Sequence, residues 1–173
     1  LYMDGRGVDA DDEQAAIWLN RAAFQGVAQA QYALARLYIQ GRGVKASDEK
    51  AAEWLTAAAE QGLGPAQVDL GLVHLRGRGV EQSDANAFLW FQRAANQNIA
   101  QAQRMLGALY EAGRGTDADL RAAYMWYLLA KEQNDALAGQ RLKAIAPRLA
   151  LIDIERAEAK AKKWREDRNL PSD

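Results

Sequence analysis

The stretch GRGVKASDEKAAEW, residues 41–54, is one of four similar stretches spaced evenly along the chain. The other copies are GRGVDADDEQAAIW at 5–18, GRGVEQSDANAFLW at 77–90 and GRGTDADLRAAYMW at 113–126. Each copy begins 36 residues after the one before it. A fixed period of this size is typical of a solenoid built from repeated structural units.

The repeat unit contains two helical patterns, of which the first covers about 28–40. Ala30, Leu34 and Leu37 recur there at spacings of four and three, which places them on one face of a helix. The glycines of the GRG stretch follow at once. Glycine at this point predicts a helix end and a tight turn.

The second helical pattern covers about 48–61, and both of its ends are marked. Its apolar face holds Ala51, either Trp54 or Leu55, and Ala58. The position just before this helix is filled in the four copies by good N-caps, namely Asp11, Ser47, Ser83 and Asp119. The position just after it is filled by residues that accept the left-handed conformation, namely Gly26, Gly62, Asn98 and Asn134.

Two further registers predict how the helices pack. Small residues in the first helix should let neighbouring helices approach closely, and they are Ala35, Gly71 and Gly107. The repeated tryptophans should fill the wider gaps between layers as core anchors, and they are Trp18, Trp54, Trp90 and Trp126.

Taken together, these residues closely resemble the Sel-one-like repeat (SLR) family, which is related to tetratricopeptide repeats. The shared pattern is A-x-x-x-L-G, a tyrosine, G-x-G-V, an acidic cap, A-A-x-W and A-A, and it extends over essentially the whole chain. The resemblance implies an all-α fold, an α/α superhelical solenoid of antiparallel helix pairs that serves as an adaptor or scaffold. Local departures from the pattern are Phe88, Thr116, Leu120 and Tyr124.

We expect one repeat solenoid over 1–173. Its parts are a partial repeat at 1–26, full repeats at 27–62, 63–98 and 99–134, and C-terminal capping helices at 135–173. The last helix is rich in charged residues, as the polar outer face of a terminal cap requires. The first repeat retains only the end of a first helix, so we expect further repeats upstream and a genuine C-terminus.

Composition restricts the classes of function. The net charge is −1, which gives no electrostatic support to nucleic-acid or membrane-surface binding. With no cysteine and one histidine, the chain lacks the usual parts of a zinc site or a thiolate centre. We therefore predict no metal, no cofactor, no membrane insertion and a monomer. Composition leaves the compartment open between a periplasmic or secreted location and a cytoplasmic one.

Each candidate catalytic feature has a simpler structural interpretation. His74 stands where the other copies have tyrosine, which predicts a packing role for the ring. Ser47 and Lys50 match the S-x-x-K spacing of serine acyl enzymes, but the other copies hold aspartate or serine at position 47, which suits a helix cap. Glu111 and Asp117 are interpreted as ordinary surface carboxylates.

The arginines of the GRG stretches should lie along one edge of the stacked repeats. This arginine edge consists of Arg6, Arg42, Arg78 and Arg114. It could bind an acidic or glycan-like polymer, although Asp12, Asp48 and Asp84 nearby would partly neutralise it. Polymer binding is our alternative hypothesis for function, and a serine hydrolase or β-lactam-binding protein is a more distant third.

The favoured hypothesis is a non-catalytic scaffold that binds a protein or peptide partner in a concave groove. In tetratricopeptide-like solenoids the first helix of each pair faces that groove. On one first helix, Val68, Leu72 and Leu75 form an apolar stripe beyond the shared core, which is either buried between layers or covered by a peptide. The candidate partner groove consists of Tyr32, Arg36, Val68, Leu72, Leu75 and Arg104.

Overall fold

The computed structural model describes residues 11–170, and its regular structure is helical. Helices α1 to α7 have 13 residues each and cover Asp12–Phe24, Ala28–Gln40, Asp48–Glu60, Gly64–Arg76, Asp84–Asn96, Ala100–Ala112 and Leu120–Glu132. Helix α8 (Ala136–Ile145), a 3-10 turn (Ala146–Arg148) and α9 (Leu151–Glu166) follow. No strand occurs in this described part of the chain, and the predicted all-α solenoid of helix pairs is confirmed. The first GRG stretch, with Arg6, and the start of the first repeat lie outside the described residues.

The chain divides into two units, Leu1–Ser83 and Asp84–Asp173. Within the first unit, α1 packs on α2, α2 on α3 and α3 on α4. Within the second, α5 packs on α6, α6 on α7, and α7 on both α8 and α9. Each helix therefore contacts mainly its neighbours in sequence, as expected of a repeat protein.

The predicted ends of the second helices are confirmed. The side chain of Asp11 accepts hydrogen bonds from the backbone N–H groups of Glu13 and Gln14, and that of Ser47 accepts one from Lys50. These bonds satisfy donors that the first turn of a helix leaves unpaired. After the helices, the predicted residues all have positive φ, with values of 83° at Gly26, 87° at Gly62, 61° at Asn98 and 66° at Asn134.

The GRG stretch has a geometric cause in the contact between consecutive repeats. Gly41 ends α2 in the left-handed conformation, with φ of 66°. A Cβ atom on Gly43 would overlap the backbone carbonyl of Asp12 at the start of α1, so only glycine fits there. The same contact recurs between Gly79 and Asp48. The repeated stretch therefore ends the first helix and makes the close backbone contact with the preceding repeat.

The prediction that the tryptophans are the core anchors is wrong for most copies. Trp18 is 52% exposed, Trp54 and Trp90 are half-buried, and only Trp126 is buried. The residue after the tryptophan is fully buried in three copies, as Leu55, Phe91 and Tyr127. Successive residues on a helix are rotated by roughly 100°, so the tryptophan lies beside the face that turns the next residue into the core. Trp126 is buried as well, because Trp164 of α9 packs against it. Trp54 packs at the edge instead, edge-on to Phe24 with ring centroids 5.1 Å apart.

Buried glutamines join the helices in a register that our sequence predictions did not include. Gln31, Gln67 and Gln103 keep the 36-residue period and are buried. The Nε2 of Gln31 donates to the carbonyl of Ala23 at 3.1 Å, and Gln61 donates to the Oε1 of Gln31 at 2.7 Å. Because buried polar groups need hydrogen-bond partners, this register fixes how the helices of one repeat meet those of the next.

Helix α9 covers α7 at the end of the second unit. Ala157 and Ala161 are its buried residues, and Trp164 packs edge-on to Trp126 with ring centroids 5.7 Å apart. The opposite face is exposed and charged, with Glu155, Arg156, Glu158, Lys160, Lys162 and Lys163. This distribution matches the polar outer face that we expect of the last helix.

Candidate functional site

A groove of about 240 Å³ opens in the first unit, and we call it the unit-1 groove. Its apolar lining residues are Ile39, Ala51, Leu72 and Val73, and its polar ones are Arg36, Gln40, Asp48, Asp69, Arg76 and Arg78. Most come from α2 and α4, where they are spaced by three and four residues. Each of these two helices therefore turns a single face towards the groove.

Asp69 is held in the groove wall by a hydrogen bond from Tyr32. The Tyr32 hydroxyl donates to the Oδ2 of Asp69 at 3.0 Å. Burial raises the pKa of Asp69, and the Tyr32 hydrogen bond and the Arg36 charge offset this only in part. Burial also raises the pKa of Tyr32, with the Asp69 charge adding to the effect. The pair thus uses its hydrogen-bonding capacity internally.

Two guanidinium groups of the groove have no carboxylate in a salt bridge among the residues 11–170. Arg78 is not one of them, because it donates to both carboxylate oxygens of Asp48, at 3.1 and 2.7 Å. Arg36 lies over the Tyr32 ring, 6.0 Å from its centroid, and is attracted by Asp69 without closing a salt bridge. Arg76 is exposed and forms no ion pair or hydrogen bond with a described residue. Arg76 and, less freely, Arg36 are the cations available to a ligand.

The structure separates the six residues of the candidate partner groove. Arg36 and Leu72 line the unit-1 groove, and Tyr32 supports its wall through Asp69. Val68 is only 3% exposed, so its side chain is part of the core and unavailable to a partner. Leu75 is half-buried and is not a lining residue.

Arg104, the sixth candidate, lies in the second unit. Its Nε forms a salt bridge with the Oδ2 of Asp135 at 3.0 Å. The side chains of both partners are largely buried. Because this charge is already compensated, Arg104 is not a free cation for a ligand.

Asp69 and Val73 line the groove, and neither is among the residues predicted for it from the sequence. A signal for Asp69 was present, because the corresponding residues of the neighbouring repeats are Ala33 and Met105. A carboxylate between two uncharged residues of the same register predicts a local role. Val73 gave no such signal, because it reads as one more apolar residue of α4.

The second unit holds a closed polar cluster at positions that correspond to part of the unit-1 groove. Two repeats further along the chain, the groove residues Ile39, Asp69 and Arg76 are replaced by Glu111, Arg141 and Arg148, and the core residue Leu55 is replaced by Tyr127. The carboxylate of Glu111 accepts hydrogen bonds from Arg141 at 2.7 Å and from the Tyr127 hydroxyl at 2.9 Å. A guanidinium nitrogen of Arg148 lies 3.5 Å from it. We call these four residues the Glu111 cluster.

The prediction that Glu111 is an ordinary surface carboxylate is wrong, because its side chain is only 12% exposed. Burial by itself would raise the pKa of Glu111, but the hydrogen bonds from Arg141 and Tyr127 outweigh it and lower the pKa. Burial and the hydrogen bond to Glu111 raise the pKa of Tyr127 to about 12. At neutral pH the cluster therefore contains a carboxylate, a neutral phenol and two guanidinium groups.

The described part of the arginine edge is internally paired. Arg42 binds Asp12, Arg78 binds Asp48 and Arg114 binds Asp84, with N–O distances of 2.7, 2.7 and 2.6 Å. Each pair uses two guanidinium nitrogens and both carboxylate oxygens. The hydrogen bond from Arg114 lowers the pKa of Asp84. The alternative hypothesis of polymer binding along this edge therefore gains no support.

Ser47 and His74 occupy structural positions. The Oγ of Ser47 donates to Glu49 at 2.9 Å and caps α3, while the Nζ of Lys50 lies over the Tyr38 ring, 5.3 Å from its centroid. The lysine is thus engaged away from the hydroxyl that it would have to deprotonate. His74 is half-buried in α4, and its Nδ1 has no hydrogen-bond partner among the described residues.

Residues 11–170 contain neither a metal-binding cluster nor a membrane-spanning helix. No cluster of histidine, aspartate and glutamate side chains there is arranged to hold a metal ion. The longest described helix, α9, has 16 residues, and none of the helices combines the length and apolarity that crossing a membrane requires.

The repeated helix pairs place this chain in the class of helical-repeat proteins, and the unit-1 groove lies mainly on the first helices of two pairs. The Sel1 repeat model matches residues 1–27, 28–63, 64–99 and 100–135, and the chain belongs to the Sel1 repeat family. The resemblance seen in the sequence is confirmed.

Two solved structures are similar to this chain. A Sel1 repeat protein from Oxalobacter formigenes is 39% identical, with a TM-score of 0.78 over 83% of this chain and 42% of that chain. A protective antigen present in uropathogenic Escherichia coli strains, which displays an SLR fold, is 33% identical, with a TM-score of 0.83 over 95% of this chain and 35% of that chain. The chain thus spans less than half the length of either. No curated protein matches the sequence.

Proposed function

We propose that this chain is a protein-interaction module that binds a segment of a partner protein in the unit-1 groove and catalyses no reaction. The observation that carries the proposal is the groove itself. It places apolar side chains of α2 and α4 beside guanidinium groups without salt-bridge partners. Binding sites commonly combine an apolar lining with a few polar groups that fix the orientation of the ligand.

The apolar residues of the groove provide the expected source of affinity. Ile39 is 36% exposed, and Leu72 and Val73 are half-buried, so each has surface left to cover. Removing such surface from water stabilises a complex by about 25 cal/mol per Å². A partner side chain seated on these three residues would therefore contribute to binding without any change in the fold.

The interaction function agrees better with the polar contacts than a catalytic one does. The Ser47 hydroxyl caps a helix, and the amine of Lys50 packs on an aromatic ring. Acyl transfer needs a nucleophile within hydrogen-bond reach of its base, and these two groups do not provide that arrangement. The acyl-enzyme hypothesis therefore gains no support from these contacts.

Leu72→Glu tests the proposal by placing a charge in the apolar part of the groove. Wild type, this variant and the control Leu137→Glu would be compared in thermal melting and in quantitative pull-downs from the source cell. Leu137 is an exposed leucine of the second unit, outside the groove. We expect near-native melting for both variants, and at least about tenfold less capture of specific partners by Leu72→Glu, since an unpaired charge on an apolar contact is costly.

Capture that is equal for wild type and Leu72→Glu would place the interaction elsewhere and refute the proposal. Loss of the same partners with Leu137→Glu would show that added negative charge alone, rather than damage to the groove, reduces binding. Unfolding of Leu72→Glu would be resolved with Leu72→Ser, which shortens the side chain and adds no charge.

A further inference from the structure

We propose that the segment bound in the unit-1 groove carries an aspartate or glutamate next to a bulky apolar residue, and that its carboxylate binds Arg76 with help from Arg36. This inference rests on the proposed function and specifies the chemistry of the partner. Its main evidence is that the second unit of the same chain already contains such an interaction, built from its own residues.

The Glu111 cluster shows what the corresponding positions do when a carboxylate is present. Arg148 corresponds to Arg76 in the 36-residue count, although it lies in the 3-10 turn after α8 while Arg76 ends α4. A guanidinium nitrogen of Arg148 lies 3.5 Å from the carboxylate of Glu111. The same carboxylate accepts a hydrogen bond from Arg141. In the second unit the charge of this arginine register is therefore compensated within the chain.

The unit-1 groove has the arginine but lacks the carboxylate. Ile39 stands at the position of Glu111, so its apolar side chain cannot accept a hydrogen bond from Arg76. Arg76 stays without a partner among the residues 11–170. A guanidinium group binds carboxylates through two parallel hydrogen bonds, so an acidic side chain of a partner would complete the site.

The remaining charges of the groove favour an acidic ligand over a basic one. Arg78 and Asp48 neutralise each other. Asp69 is engaged by the Tyr32 hydroxyl and lies close enough to Arg36 to attract it. Arg76 therefore remains as an uncompensated positive charge, and a lysine or arginine brought beside it would be repelled.

The apolar preference follows from where Arg76 lies on α4. Leu72 and Val73 precede it by four and three residues, so the three side chains are neighbours on one helix face. A ligand whose carboxylate reaches Arg76 would place its adjoining residue over Leu72 and Val73. The expected recognition element is thus an acidic residue beside leucine, isoleucine, methionine or phenylalanine.

A random heptapeptide library displayed on phage provides the probe. It would be selected on the whole chain, and the enriched peptides would be synthesised and titrated. We expect enrichment of acidic residues next to bulky apolar ones. We also expect Arg76→Gln to weaken binding about tenfold, since a hydrogen bond to a charged group contributes on this scale. Lys45→Gln removes the same charge from an exposed residue outside the groove and should leave affinity unchanged.

Ile39→Glu is the sharper variant, because it copies Glu111 into the unit-1 groove. The new carboxylate should pair with Arg76, leave the melting temperature at or above that of wild type, and reduce affinity for the acidic peptides at least about tenfold. Ile39→Gln is the matched control of nearly equal size without the charge, and we expect it to weaken binding less.

The outcomes separate this inference from the proposed function. If the enriched peptides bound Leu72→Glu as tightly as wild type, they would not bind in the unit-1 groove, and both proposals would be refuted. Peptides that require Leu72 but contain no acidic residue, or that ignore Arg76→Gln, would overturn the inference alone. Failure of Ile39→Glu to fold would leave the decision to the Arg76→Gln titration.

Discussion

The unit-1 groove and the Glu111 cluster share positions in the 36-residue count, but they lie in different repeats and differ in how their charges are compensated. In the first unit, Ile39 leaves Arg76 without a carboxylate. In the second, Glu111 accepts hydrogen bonds from Arg141 and Tyr127 and lies beside Arg148. The difference teaches that a few substitutions at repeated positions decide whether an arginine is paired within the protein or remains available to a partner.

The largest expected effect concerns the core register, which contains Leu55 in the first unit and Tyr127 in the second. Tyr127→Ala should destabilise by about 4 kcal/mol and Leu55→Ala by about 3 kcal/mol, as large cavities in buried cores do. The tyrosine change also removes a donor to Glu111. Trp54→Ala should cost only about 1–2 kcal/mol, because this ring is half-buried.

Denaturant unfolding of the three variants checks this order. If Trp54→Ala proved as damaging as Leu55→Ala, the tryptophan would share the core register, and the distinction drawn between adjacent positions would fail.

The second-largest expected effect concerns the carboxylates of Glu111 and Asp69. Glu111→Ala should destabilise by about 2 kcal/mol, because it leaves the buried Tyr127 phenol without its acceptor, while the exposed Arg141 and Arg148 side chains are solvated by water. Asp69→Ala should cost less, about 1 kcal/mol, because only the Tyr32 hydroxyl loses a bond while a desolvated carboxyl is removed. Urea titrations of both variants measure the difference, and equal costs would contradict the contrast between a closed and an open site.

The two carboxylates should also respond to acid in opposite directions. The pKa of Glu111 is lowered on folding, so its contribution is present above the ordinary glutamate pKa and is lost as pH falls through the lowered value. The pKa of Asp69 is raised on folding, so its contribution is larger at acidic pH and declines as pH rises through the raised value. We expect Glu111→Gln to flatten the acid loss of stability and Asp69→Asn to steepen it. Melting curves between pH 3 and 7, in steps of about half a unit, would show whether the slopes change in these directions.

At alkaline pH the core register should affect stability in the second unit, because Tyr127 titrates there while Leu55 of the first unit does not. Burial and Glu111 raise the pKa of Tyr127 to about 12, above the ordinary tyrosine value of 10.0. A raised pKa in the folded state stabilises below the ordinary value and loses that contribution as pH rises towards 12. Tyr127→Phe should reduce this decline, and absorbance titration of the tyrosines should show one fewer phenol of raised pKa in the variant than in wild type.

The smallest effect concerns the aromatic register of the first helices, with His74 in one unit and Tyr110 in the other. His74→Tyr should change stability by at most about 1.5 kcal/mol, because the neighbouring repeats hold Tyr38 and Tyr110 at this position and the change removes an unpaired ring nitrogen. Tyr110→His should be the more damaging change, because it disrupts the edge-on contact with Phe88, whose ring centroid lies 5.2 Å away. Calorimetry of both variants tests the pair, and a loss of partner capture in His74→Tyr would assign the histidine a role in binding.

The comparison also explains how much the sequence could predict of the site. Arg36 and Leu72 were selected because they vary between repeats on the first helix, and both line the unit-1 groove. Val68 was chosen by the same criterion, and it is buried. A spacing of four residues places Val68 and Leu72 on one helix face but does not say where that face passes from core to surface.

The sequence by itself determined the period, the helix boundaries, the caps and the family, because each depends on local chemistry. A glycine or asparagine at a left-handed position and an aspartate before a helix have the same meaning wherever they occur. Tertiary structure alone decided that Leu55 rather than Trp54 enters the core and that Arg148 finds a carboxylate while Arg76 does not. Those outcomes depend on how far each helix rotates about its axis and on side chains about one repeat apart meeting in space, neither of which a sequence pattern contains.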